Sequence, residues 1–164
     1  MKPIICITMG DPAGIGSEII SKALNNSDVY SKCSPFVVGD KQAIMDAVRV
    51  SKLETNINVI DKAGKAEFKH GTIDVYDLNN IDMSKMAYGK VNVDCGRAAG
   101  EYIEKAVELA MERSVDAIVT APINKESFDL GGYGKKYRGH TEMLASLTNT
   151  PDVAMVLAHG HLRV

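Results

Sequence analysis

Residues 3–24 read PIICITMGDPAGIGSEIISKAL, and this stretch decides the fold class. Residues 3–9 form a continuous apolar run closed by Gly10-Asp11-Pro12, the pattern of a strand buried on both faces. Beyond the glycine-rich turn, residues 17–24 place Ile19, Ile20 and Ala23 inward and read as a short helix. The same alternation continues along the chain. Residues 35–38 read as a second strand and 41–48 as a second helix, while 57–60 and 73–76 are short β-like runs around a polar loop at 61–71. The clearest helix covers residues 94–113, where Ala99, Ile103, Ala106 and Ala110 share one face and Glu101, Glu104, Glu108 and Glu112 fall mainly on the other. Residues 116–120 and 153–157 read as further strands. Buried strands alternating with helices predict an α/β fold, a mainly parallel sheet with helices on both faces.

Composition narrows the function. A chain of 164 residues, 45% hydrophobic and 24% charged, is about one domain with a real core. With 19 basic against 21 acidic residues, the net charge of −2 gives no pull toward nucleic acid or an anionic membrane. Tryptophan is absent, which also disfavours a base-stacking surface. The expected partner is a small molecule. Cys6, Cys33 and Cys95 are odd in number and widely spaced, so they suggest neither a disulfide framework nor a zinc site. The N-terminal apolar run is too short to span a membrane and lacks a cleavage pattern, which makes the cytoplasm the expected compartment. The chain closes on His161-Leu162-Arg163-Val164, a strand-like sequence without a cap or polar tail, and the expectation is a missing continuation.

Two segments carry chemistry. In residues 10–18, GDPAGIGSE, the glycines permit close backbone approach and the following helix start offers unpaired N–H groups. The dinucleotide fingerprint fails because Ile19 stands at its third glycine, and no phosphate-binding lysine loop is present. Two readings of this loop stay open: an anion cradle, or a tight crossover in which Asp11 and Ser17 satisfy backbone donors. Residues 119–144 read VTAPINKESFDLGGYGKKYRGHTEML, a buried strand broken at Pro122 and followed by Asn124 and Lys125 where a helix should begin. Ligands bind open α/β sheets at the carboxyl ends of strands, which favours Lys125 as a functional residue. His140 and Thr141 occupy the first turn of a helix ending near Leu147, where the dipole disfavours imidazolium. Lys135, Lys136 and Arg138 make a basic, glycine-flanked loop that could close over a phosphate or stay solvated. His159 and His161 form an H-x-H pair aimed to one face if strand-borne, too little for a metal site without a third ligand.

GDPAGIG followed by TAPINK and GHTE, in that order, resembles the 4-hydroxythreonine-4-phosphate dehydrogenase family. Residues 89–110, GKVNVDCGRAAGEYIEKAVELA, are similar to that family's central helix, and Ser17 departs from its usual proline. The resemblance implies a two-domain fold like isocitrate and isopropylmalate dehydrogenases, working as a cytoplasmic homodimer. It implies NAD-dependent oxidation, with decarboxylation aided by a divalent metal, of a phosphorylated four-carbon hydroxy acid. Candidate substrates are 4-phosphohydroxy-L-threonine, on the route to pyridoxine, and 4-phospho-D-threonate or its erythronate counterpart. Carried over by motif, His140 and Thr141 match the family's substrate-binding pair. Asp11, Asn124 and Lys125 lie in motif positions that imply a catalytic or substrate-binding role, and Lys135, Lys136 and Arg138 stand near the expected substrate phosphate. The family's metal-binding histidines belong past Val164, so residues 1–164 resemble the N-terminal portion of such a subunit with its second half absent. The alternatives are a phosphate acetyltransferase-like enzyme and a non-catalytic fragment that binds a phosphorylated metabolite.

Overall fold

The computed structural model describes residues 2–164. Five strands, β1 (Ile4–Thr8), β2 (Ser34–Gly39), β3 (Asn56–Ile60), β4 (Thr72–Asp77) and β5 (Ala117–Thr120), form one sheet in the order β3-β4-β2-β1-β5. Every neighbouring pair is parallel, as the apolar runs require. The helices are α1 (Gly16–Leu24), α2 (Ser27–Lys32), α3 (Lys41–Val50), α4 (Val93–Met111), α5 (Lys125–Leu130) and α6 (His140–Leu147). Crossovers run one way from β1 to β2 and on to β3, and the other way from β4 to β5. Right-handed connections therefore set α1 and α3 on one face and α4 on the other. The expected α/β architecture is present.

The core forms where these layers meet. Phe36, Ile44, Ile73 and Tyr102 are fully buried in the main cluster, each contributing about 1.5–3 kcal/mol of apolar transfer. Helix α4 is buried on two sides. Ala98, Tyr102 and Ala106 pack toward the sheet, while Ile103 and Val107 join Phe128, Tyr137 and Met143 in a second cluster beneath α5 and α6. This second cluster fixes the elements that carry the candidate site. The polar loop at 61–71 contains one short 3-10 turn, Ala63–Lys65. It is clipped to the sheet by buried Asp74, whose carboxylate accepts from the backbone N–H groups of Glu67 (3.0 Å) and Phe68 (2.9 Å).

Three sequence expectations are corrected. The strand at 117–120 is not buried on both faces: β5 is the sheet edge, and Val119 is 50% exposed, its outer face left uncovered by the described residues. Residues 153–157 make no strand in the sheet. Val153, Met155, Val156 and Leu157 are all exposed, and among the described residues none of them is buried against the sheet. Finally, His159 and His161 do not share one strand. A two-stranded hairpin, β6 (Ala158–His159) with β7 (Leu162–Arg163), turns at Gly160-His161 and separates them.

Candidate active site

The carboxyl ends of β1 and β5 meet where the crossover direction reverses, the position at which open α/β sheets bind ligands. Thr8 and Thr120 pair there in register. The chain leaves β1 through Gly10-Asp11 and β5 through Pro122-Ile123, and the Asp11 N–H donates to the Pro122 carbonyl at 3.0 Å. Asp11 is 2% exposed. Its Oδ1 accepts from the Ala13 N–H at 2.8 Å. Burial raises its pKa, while hydrogen bonds from Ala13, Ser127 and the Asn124 backbone pull it back. Ser127 is itself fully buried and accepts from the Asn92 N–H at 3.2 Å. One carboxylate and one hydroxyl therefore tie three loops together. Asn124 caps α5, its Oδ1 accepting from the Ser127 N–H at 2.9 Å. Asp11 thus lies behind the surface while Asn124 is exposed, and together they hold the start of α5 in place.

In front of that scaffold is an open pocket of about 750 Å³ between the β5–α5 turn and α6. Lys125, Arg138, His140 and Thr141 all line it, joined by Thr120 and Glu142, which the sequence reading passed over. Lys135 and Lys136 do not. Lys135 is exposed, and the Lys136 ammonium sits 4.9 Å above the Tyr137 ring. Helix α6 begins bare: Gly139 at its N-cap offers no side chain, whereas α3, α4 and α5 are capped by Asp40, Asn92 and Asn124. First-turn N–H groups with Lys125 and Arg138 nearby make this corner favourable to an anion.

His140 is half-buried, and its Nε2 is enclosed with no hydrogen-bond partner. Burial lowers its pKa, opposed by a hydrogen bond to the Ala121 backbone. With Nε2 free, that bond falls to Nδ1, so the neutral ring presents an unpaired acceptor at the pocket wall. A histidine pKa lowered by folding means the unfolded chain binds the proton more readily. Stability should therefore fall as pH drops below about 6.5, through the window down to the folded pKa. Melting curves of the protein and of His140→Gln between about pH 5 and 7 should diverge, with the variant less sensitive to acid. Parallel curves would remove the buried-neutral assignment.

Comparison with known proteins decides the family. The profile described as "Pyridoxal phosphate biosynthetic protein PdxA" matches residues 31–164. The chain belongs to the PdxA family. A Clostridium botulinum relative, named a D-threonate 4-phosphate dehydrogenase, is 51% identical over 163 residues, covering 99% of this chain and 48% of its own length. A similarly named Fusobacterium nucleatum protein is 42% identical over the whole chain and 49% of its own length. The crystal structure of a 4-hydroxythreonine-4-phosphate dehydrogenase from Burkholderia phymatum superposes with a TM-score of 0.94 at 44% identity, over 99% of this chain and 48% of that one. The chain thus spans about half the length of the PdxA relatives it matches. The family resemblance carried by GDPAGIG, TAPINK and GHTE is confirmed, and with it membership of an enzyme family named for dehydrogenases. Among the described residues, no helix is long and apolar enough to cross a membrane.

Proposed function

We propose that this chain carries the substrate-binding corner of an NAD-dependent dehydrogenase acting on a phosphorylated four-carbon hydroxy acid. The observation that carries this reading is the enclosed, unpartnered Nε2 of His140 in a pocket shared with Lys125, Arg138 and the bare start of α6. Such a pocket offers one hydrogen-bond acceptor for a substrate hydroxyl. Beside it stand the Thr141 hydroxyl and first-turn N–H donors for phosphate or carboxylate oxygens, with two cations to balance their charge. In the reaction proposed, a carbinol C–H bond breaks and its hydride leaves with the electron pair to the nicotinamide, while the hydroxyl gives up its proton to water. The resulting β-keto acid loses carbon dioxide. NAD supplies the hydride acceptor when bound. His140 orients the hydroxyl, and Lys125 and Arg138 hold the anionic end away from it.

The family also implies a divalent metal. Among the described residues no three His, Cys, Asp or Glu side chains converge on a common point, so these residues do not fit a metal. Among substrates, the 51% identity to a relative named for D-threonate 4-phosphate supports 4-phospho-D-threonate over 4-phosphohydroxy-L-threonine. Titration calorimetry of this chain with both compounds tests the reading. We expect binding of 4-phospho-D-threonate, weakened about ten-fold or more in His140→Ala without loss of the folded state, because about 1.4 kcal/mol of hydrogen bonding is removed. Equal affinity in the variant would take His140 out of the site. No binding of either compound would sink the reading.

A further inference from the structure

Glu142 brings a carboxylate into the pocket of His140, Lys125 and Arg138, where an anion is expected to bind. It stands three residues past the Gly139 N-cap, the position from which a glutamate commonly reaches back to bond the cap's own N–H. Its Oε2 lies 4.0 Å from where a Cβ on Gly139 would stand, so the side chain does fold back over the helix start. The ion pairs among the described residues all lie elsewhere, and none uses Glu142, Lys125 or Arg138. On its other flank Glu142 borders a second concavity, an open groove of about 650 Å³ with Ala145, Asn149, Thr150 and Val153. That groove is lined by no cation. The charge complement of Glu142 therefore lies across the His140 pocket.

Unpaired charges of both signs around one pocket select a ligand whose two ends differ. A phosphate carries up to twice the charge of a carboxylate, and Coulomb repulsion from Glu142 scales with it. The phosphate is thus driven to Lys125 and Arg138, and the singly charged carboxyl end falls beside α6. There Glu142 can only accept hydrogen bonds, and an ionised acceptor makes strong ones. His140 Nε2 already serves the hydroxyl of the reacting carbinol. What remains for Glu142 is a donor on the next carbon, between that carbinol and the carboxyl group.

We propose that Glu142 is a specificity-determining residue, whose carboxylate demands a hydrogen-bond donor on the carbon beside the reacting carbinol. In 4-phospho-D-threonate that donor is the second hydroxyl. The assignment rests on the substrate reading above and deepens it. A site built to bond a substrate hydroxyl rejects the analogue lacking it, because the site's polar group is then left without its partner.

Calorimetry of this chain with 4-phospho-D-threonate and its 2-deoxy analogue, 3-hydroxy-4-phosphobutanoate, tests the proposal in the protein and in Glu142→Ala. Glu142 is exposed, so the fold should survive, and circular dichroism checks that it does. The expected result is a preference of about ten-fold or more for 4-phospho-D-threonate in the protein, lost in Glu142→Ala. Glu142→Gln, which keeps an acceptor oxygen, should recover part of it. A preference of equal size in Glu142→Ala would overturn the proposal and leave Glu142 a helix-start charge, with the substrate reading intact. Equal affinity of the unmodified protein for both compounds would overturn it in the same way. Binding of neither compound to the unmodified protein would sink both readings together.

Discussion

Gly96→Ala should lower the melting temperature by about 10 °C, one of the two largest effects anticipated for a single methyl group in this protein. A Cβ at Gly96 would sit 1.7 Å from the Ser127 carbonyl oxygen, 2.1 Å from its carbon and 2.7 Å from the Phe128 nitrogen. These are backbone atoms of α5, so no rotamer change relieves the contact. Alanine gains about 1 kcal/mol over glycine in helix propensity, but α4 and α5 must then separate. Separation opens the cluster of Ile103, Val107, Phe128, Tyr137 and Met143, at a net cost of about 3 kcal/mol. Gly64→Ala is the matched control, because nothing lies within 4 Å of its added methyl. Calorimetric melting of both variants decides the matter. A Gly96→Ala transition no lower than that of Gly64→Ala would show that α4 and α5 can part freely.

Gly10→Ala should cost a comparable amount and also disable ligand binding. Gly10 has φ +74°, a region that costs an L side chain about 1–2 kcal/mol. Its added Cβ would lie 2.3 Å from the Pro122 carbonyl oxygen and 2.9 Å from that of Ala121. Strain and clash together make about 3 kcal/mol a reasonable expectation. The displaced residues are those that receive the Asp11 N–H and lead into Asn124 and Lys125. The pocket is therefore distorted from behind, and binding of 4-phospho-D-threonate should fall further than in His140→Ala. Retained binding in a destabilised Gly10→Ala protein would separate the turn's structural role from the site.

The layers of the fold were legible because β1 and β2 are apolar in unbroken runs, as a sheet covered on both faces demands. Helix α4 was legible because its inward residues recur at helical spacing over five turns. The short α2, residues 27–32, escaped notice because six residues carry too little periodicity. At the site, Lys125 and His140 could be named from their motifs, yet their sharing of a pocket depends on α5 and α6 both packing on α4. Ser127 gave no signal in the sequence. Its importance arises from its placement between Asn92 and Asp11, residues far from it along the chain.

The sequence by itself determined the alternation of strands and helices, the helix start at Asn124, and the family through its ordered motifs. These are local properties: propensity, periodicity and capping act within a few residues. Tertiary structure alone decided that β5 is an edge, that residues 153–157 stay exposed, and that His159 and His161 part at a turn. It also decided which side chains face the two concavities. An apolar residue reads the same in a sequence whether or not a neighbour covers it. Burial is a property of the partner as much as of the residue, and partners are chosen only when distant segments pack together.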